Sequence, residues 1–344
     1  MNVSNSSNAT SAPIEQYQVW QKVFISLFLT VLTVGTVIGN SLVCIAVGIV
    51  RRLQSPSNLL IVSLAVSDLL VALLVMPYAA AYEVESYWIL GRMMCDAWTS
   101  LDVLLCSASI LNLCCISIDR YLVITRPFDY ALKRTPTRMG LMILAVWLIS
   151  AIVSIPPVFG WKTEPPEGHC IITQDIGYQF YATIFAFYLP LGVMIFIYYR
   201  IYTVSSRIAK REKRSQPQLN NIEIPLQEPS AANGSGGGSK SSKKSKSGHV
   251  SNREGKAIVT LGVIMGGFTA CWLPFFILAL IDPLCRQCIP KGAISFFQWL
   301  GYANSFLNPI IYARFNTEFR QPFKEILLCR CRGINSRLRN LANH

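Results

Sequence analysis

Apolar residues fall into seven stretches, near 23–48, 59–82, 97–125, 139–159, 178–203, 257–281 and 293–313, separated by polar segments that are mostly short. About 20 predominantly apolar residues wound as an α-helix cross roughly 30 Å of hydrocarbon. Where water is absent, only a helix or a closed barrel pairs every backbone N–H and C=O. The pattern therefore predicts an all-α membrane protein, a bundle of seven transmembrane helices spanning 23–315. A leader of residues 1–22 precedes it and a tail of residues 316–344 follows. Within the tail, Asn316–Leu328 has the spacing of a short amphipathic eighth helix. The one long polar segment, 205–256, contains a Gly-, Ser- and Lys-rich stretch from Ser230 to Ser251 and reads as largely disordered linker. No fixed-period repeat is evident.

Composition agrees, since 52% hydrophobic and 14% charged residues are too apolar a mixture for a soluble domain. The first apolar run begins near Val19 after an Asn/Ser-rich leader, so the first helix, rather than a cleaved signal, is expected to direct insertion. Basic residues in short loops are retained in the cytosol. With the amino terminus outside, only Lys22, Arg92, Lys162, Arg286 and Lys291 of the 31 basic residues face outward. Sequons at Asn2, Asn5 and Asn8 point the same way, because only an external leader can be glycosylated. The net charge of +13 then reads as a cytosolic face attracted to anionic lipid and protein partners. Nucleic-acid binding is a poor alternative for so apolar a chain.

The eleven cysteines divide by compartment. Cys95 and Cys170 both lie at the external face, where a bridge would tie the third helix to the second external loop. Cys285 and Cys288 either close a small loop or remain free. Cys329 and Cys331 follow the amphipathic segment and suit reversible palmitoylation.

Ionisable groups in hydrocarbon cost at least about 2.5–3.5 kcal/mol each, so every one is a candidate for function. Asp68 sits mid-helix in LAVSDLLVAL, Asp102 lies in TSLDVLLC, and Asp119 with Arg120 closes the third stretch in ISIDRY. Eighteen residues separate Asp102 from Arg120, about 27 Å of helix, which puts them near opposite membrane faces. Asp102, flanked by Val103, Cys106 and Ser107, has no evident cationic partner in the other helices. A cationic ligand would supply one, and the aromatic faces of Trp272, Phe275, Phe276, Trp299 and Tyr302 would add cation–π attraction.

These residues resemble the rhodopsin-like G-protein-coupled receptors, and among them the biogenic-amine receptors, from about Val23 to Cys331. The resemblance rests on Gly39–Asn40, SLAVSD ending at Asp68, DRY at Asp119–Tyr121, Trp147, Pro190 in FAFYLP, CWLPFF at Cys271–Phe276 and NPIIY at Asn308–Tyr312. Asp102 with Trp299 and Tyr302 in WLGYANS indicates the amine subgroup. FAFYLP, CWLPFF and WLGYANS look like serotonin receptors of the type-one and type-seven groups, while TSLDVLLCSASILNL also looks like histamine type-two receptors. The fifth helix shows Ala182, Thr183 and Ala186 where catecholamine receptors present serines, and Ala182 where histamine type-two receptors present an acid. Serotonin is therefore the expected ligand, with histamine, octopamine or tyramine as alternatives.

The resemblance implies a pocket of Asp102, Val103, Cys106, Ser107, Ile172, Ala182, Thr183, Ala186, Trp272, Phe275, Phe276, Gln298, Trp299 and Tyr302. Below it, Ile110, Pro190 and Phe268 would relay agonist binding. Asp68, Ser109, Asn304 and Ser305 look like a sodium site, and no other cofactor is implied. Asn40, Asn308 and Pro309 would continue that network. Arg120 would pair with Asp119 and reach Glu254 in the resting state, and Tyr198 and Tyr312 would turn toward it on activation. The implied partners are a heterotrimeric G protein, arrestin, a receptor kinase and membrane lipids, at the plasma membrane. An enzyme finds no support, because nucleotide loop, metal pair and Ser/His/Asp set are all missing and His169, His249 and His344 lie outside the helices. A transporter would show paired broken helices and inverted repeats, which are not evident.

Overall fold

A computed structural model describes residues 18–220, 247–285 and 288–343, with the side chains of 127–128, 205, 208–220, 247–261, 317 and 341–343 outside that description. The sequons at Asn2, Asn5 and Asn8, residues 221–246 of the long polar segment and Arg286 fall outside the described residues, as does the side chain of Glu254.

Nine helices organise the described chain. They are α1 (Val19–Ile49), α2 (Asn58–Glu85), α3 (Gly91–Thr125), α4 (Pro136–Ser154), α5 (residues 176–220), α6 (Ser247–Leu284), α7 (Lys291–Phe315), α8 (Thr317–Leu327) and α9 (Ile334–Asn343), with a short helix Pro127–Lys133 between α3 and α4. Six of them, α1 to α6, are long and apolar enough to cross a membrane. α7, at 25 residues, is long enough at about 1.5 Å per residue. Its polarity comes partly from Asn304, Ser305 and Asn308, which the bundle buries. α3 is central and packs against α2, α4 and α5, while α1 closes on α2 and α7. Large apolar side chains such as Phe24, Leu27, Phe28 and Val31 cover the outside of α1, as a helix facing lipid requires.

Two helices contain a π-turn, at Val71–Val75 in α2 and Ile184–Tyr188 in α5. Each ends just before a proline, Pro77 or Pro190. Proline lacks the N–H for the usual bond and its ring presses on the carbonyl four residues back, so widening the ladder by one residue relieves both problems. Pro274 and Pro309 lie inside helices that continue through them. α1 and α7 approach closely at the Gly39–Asn40 pair, where a Cβ on Gly39 would stand 2.9 Å from Pro309.

Two sequence expectations need correction. The loop 205–256 is not linker throughout, because α5 runs on to Asn220 and α6 begins at Ser247. Hydropathy marks only the part of a helix that meets hydrocarbon, whereas AKREKR after Ile208 is made of good helix formers that extend α5 beyond it. The tail also holds a second helix, α9, in addition to the expected α8.

Candidate ligand pocket and switch

Asp102 lies on α3 two turns below the Cys95–Cys170 disulfide, which joins α3 to the loop before α5 with Cα atoms 5.6 Å apart. Its carboxylate is 4% exposed, yet among the described residues no cation pairs with it. Only neutral groups hold it. The Tyr302 hydroxyl donates to Oδ2 at 2.8 Å, Gln298 Nε2 to Oδ2 at 3.3 Å and the Cys106 thiol to Oδ1 at 3.2 Å. Gln298 also donates to the Tyr302 hydroxyl at 2.8 Å, so two α7 side chains one turn apart fix the acid from one side. A carboxylate held by neutral donors in an apolar bundle keeps its full attraction for an incoming cation.

A chain of aromatic rings reaches this acid through Tyr302. Trp299 stands edge-on to Tyr302 at 5.3 Å and Trp272 at 6.4 Å. Trp272 meets Phe275 at 6.0 Å and Phe276 at 5.7 Å. On α5, Thr183 and Ala186 are buried and Ala182 half-buried, with Ser107 buried across on α3. Val103 and Ile172 line one narrow cleft with Cys95, Thr99 and Tyr178. That cleft sits under the loop that the disulfide pins.

Two pocket residues escaped the sequence reading. Phe187 is fully buried and stacks on Phe276 at 4.3 Å, clamping α5 to α6. Gly301 lies under Trp272, and a Cβ there would fall 2.6 Å from the indole. Both stand inside motifs already singled out, FAFYLP and WLGYANS, but only their neighbours' chemistry drew attention.

Below the pocket, Ile110 and Phe268 are buried, Phe268 touches Phe187 at 5.7 Å, and Pro190 is buried just past the α5 π-turn. Asp68 is completely buried and receives three donors: Ser109 at 2.8 Å, Ser305 at 2.8 Å and Asn308 Nδ2 at 2.7 Å. Asn304 is buried on α7 and does not hydrogen-bond Asp68, whose donors come from two helices, α3 and α7. Asn40 ties α1 to the same place by donating to the Ser305 carbonyl at 3.0 Å.

At the opposite end of α3, Asp119 and Arg120 stand 3.9 Å apart. Asp119 has closer partners, none of them foreseen. Ser57 donates at 2.7 Å, Tyr130 at 2.9 Å, and Arg134 lies at 3.6 Å and also donates to the Ser57 hydroxyl. Burial first, and the Asp119 carboxylate second, push Tyr130 up to about 12, so it remains a protonated donor at physiological pH. The helix Pro127–Lys133 and the turn before α2 are thereby locked onto α3. Tyr121 is half-buried beside them. Tyr312 is buried, its hydroxyl has no hydrogen-bond partner among the described residues, and its ring stacks on Phe319 of α8 at 5.7 Å. Tyr198 packs on the α6 backbone, where a Cβ on Gly262 would meet its hydroxyl at 2.7 Å.

At the disulfide end, Cys285 and Cys288 are bridged with Cα atoms 5.5 Å apart, which closes the alternative left open by their spacing. His169, beside Cys170, is held below its ordinary value by burial and then by the charge of Lys291, and it meets the Tyr82 hydroxyl at 3.2 Å. Cys329 and Cys331 are exposed between α8 and α9.

This arrangement, seven helices with an acid in an aromatic pocket at one end and an Asp–Arg pair at the other, defines a heptahelical receptor. The sequence profile of the family described as 7 transmembrane receptor (rhodopsin family) matches residues 39–312. The chain belongs to that family, a multi-pass membrane receptor and not an enzyme. It is 45% identical over 345 residues to 5-hydroxytryptamine receptor 1 of Drosophila melanogaster, covering 84% of this chain and 61% of that relative. It thus spans about three-fifths of the fly protein's length. It is 40% identical to 5-hydroxytryptamine receptor 7 of Xenopus laevis, over 94% of this chain and 81% of that protein. Against 5-hydroxytryptamine receptor 1F of Homo sapiens, identity is 39% over 95% of this chain and 99% of that protein.

Proposed function

We propose that this chain is a plasma-membrane receptor for serotonin that converts binding at Asp102 into activation of a heterotrimeric G protein and a change in cyclic AMP. The carrying observation is Asp102 itself, a buried carboxylate held, among the described residues, only by neutral donors, with a fifth helix that sets Thr183 between Ala182 and Ala186. The relatives named for 5-hydroxytryptamine support the choice of amine. In this reading the disulfide end is extracellular, the Arg120 end is cytosolic, the leader is glycosylated at Asn2, Asn5 and Asn8, and Cys329 and Cys331 carry palmitate.

The protonated amine pairs with Asp102 while the indole lies between Thr183 and the aromatic wall of α6. A hydrogen bond from the ring hydroxyl to Thr183 has a net worth of about 0.5–1.5 kcal/mol. Thr183→Ala should therefore weaken serotonin a few-fold to about tenfold, and tryptamine, which lacks the hydroxyl, much less. Competition binding on membranes reads both. Dopamine should bind the unmutated chain more weakly than serotonin, because its second hydroxyl faces Ala182 or Ala186. A panel in which histamine or dopamine is tighter refutes serotonin but leaves an amine receptor standing. Repeating the binding with sodium replaced by a bulky organic cation tests the site at Asp68. Its carboxylate and the lone pairs of Ser109 and Ser305, with Asn304 as the remaining expected ligand, suit a hard cation, and the proposal fails if agonist affinity ignores the exchange.

Activation would swing the cytosolic half of α6 outward and open a groove for a G-protein helix, with arrestin and a receptor kinase reading the same open face. In this reading two contacts hold α6 in place: an ion pair expected between Arg120 and Glu254, whose side chain lies outside the described residues, and Tyr198 packed on Gly262. Glu254→Ala removes the first and Gly262→Ala fills the space of the second, so each should raise basal nucleotide exchange. Gly266→Ala, with nothing within 4 Å of its Cβ, should not. Equal basal rates for all three at matched expression would mean that other contacts hold α6.

A further inference from the structure

The tail helix α9 is docked by specific contacts. Ile334 is 3% exposed within the hydrophobic core, and Leu338, one turn on, packs beside it. Asn335 reaches the end of α1, where it accepts from the Arg51 N–H at 3.0 Å and donates to the Ile49 carbonyl at 3.1 Å, a group otherwise left unpaired where a helix ends. Arg337 is consumed internally: it pairs with Glu325 of α8 at 3.0 Å and donates to the Arg332 carbonyl at 2.9 Å and to the Arg330 carbonyl.

The same contacts assemble positive charge from two distant parts of the sequence. Arg51 and Arg52 follow α1 directly and are exposed; Arg330 and Arg332 are exposed just before α9. Arg339 is exposed one turn after Asn335 and so shares the face that touches Arg51. The buried acid of this corner, Glu325, is already neutralised by Arg337. Five exposed guanidiniums are thus gathered at the junction of α1, α8 and α9, at the level where α1 leaves the hydrocarbon. Arg330 and Arg332 alternate with Cys329 and Cys331, which holds them at the membrane surface if those thiols are acylated.

We propose that this corner is a composite binding site for the headgroup of a multiply phosphorylated membrane lipid, assembled only while Asn335 clasps α9 to the end of α1. The inference rests on the reading that the Arg120 end is cytosolic. Planar guanidiniums suit phosphate because each offers a fork of donors, and a site made of two separate segments differs from a diffuse basic surface in depending on the clasp.

The test uses the full chain in phosphatidylcholine nanodiscs with a small fraction of phosphatidylinositol 4,5-bisphosphate, with bound lipid measured by a fluorescent lipid analogue. Arg51→Gln/Arg52→Gln should weaken binding on the order of thirtyfold, at about fivefold per lost basic group. Asn335→Ala leaves all five arginines in place and should weaken it comparably, whereas Arg207→Gln, which removes one exposed charge on α5, should change it little. Amine binding measured on the same samples shows that each variant is folded, so failure here is separable from failure of the receptor assignment. Full lipid binding by Asn335→Ala would overturn the composite site in favour of a diffuse charged surface. Equally tight binding of free inositol trisphosphate in lipid-free detergent would overturn the membrane lipid as occupant.

Discussion

Asp102→Asn should abolish serotonin binding while leaving the receptor at the cell surface. The substitution keeps the side chain's shape and one acceptor oxygen, so the cost to the fold is limited to rearranged hydrogen bonds. Tyr302, which donates at 2.8 Å, can turn its hydroxyl to accept from the new amide, and Gln298 can present its oxygen. Each such exchange involves about 1 kcal/mol. The ligand has no comparable remedy. Its ammonium would enter an apolar pocket without a counter-ion, and truncating one partner of a buried charged pair costs about 2–5 kcal/mol, or roughly thirtyfold to several thousandfold in affinity. Radioligand saturation on membranes, with surface immunoassay on the same cells, measures both parts. Unchanged affinity at normal expression would place the amine elsewhere in the bundle.

The seven crossings were legible because membrane thickness imposes a length and a hydropathy that no soluble fold shares. The pocket acid was legible for a related reason: a carboxylate in hydrocarbon is costly enough to be conspicuous in one sequence. Helix ends were harder, since beyond the membrane a helix such as α5 continues on propensity alone and leaves no apolar signature. The partners of Asp119 were not legible at all. Ser57 lies 62 residues before it and Tyr130 lies 11 after it, and both arrive through loops whose return paths no periodicity records. The widened turns before Pro77 and Pro190, where an extra residue absorbs the strain, left no signal in the hydropathy pattern. α9 was missed because its docking depends on one buried isoleucine and one asparagine in a segment otherwise rich in arginine, a composition that resembles solvated tail.

Gly301→Val should nearly eliminate agonist-stimulated nucleotide exchange, with a smaller loss of binding. A Cβ at this position would stand 2.6 Å, 2.7 Å and 2.9 Å from three atoms of the benzo ring of Trp272. The indole has no free direction of retreat, because Phe275, Phe276 and Tyr302 stand at 6.0 Å, 5.7 Å and 6.4 Å from it and the residue is only 5% exposed. Either the ring is driven toward Phe276 or α7 is pushed outward. The second outcome carries Tyr302, the very next residue, away from Asp102. Overpacking of this kind costs about 1–3 kcal/mol, which predicts agonist affinity lower by roughly fivefold to 150-fold. Signalling should fall further, because ring and helix must also reach their activated positions. Gly267→Val on α6 carries the same β-branched helix penalty with nothing within 4 Å of its Cβ and serves as the control. Adding Trp272→Phe removes the benzo-ring atoms that the valine meets and should recover part of the lost affinity in the Gly301→Val background. If Gly301→Val signals as the Gly267→Val control does, Trp272 does not couple the pocket to α7, and the relay toward Phe268 must begin at another wall of the pocket.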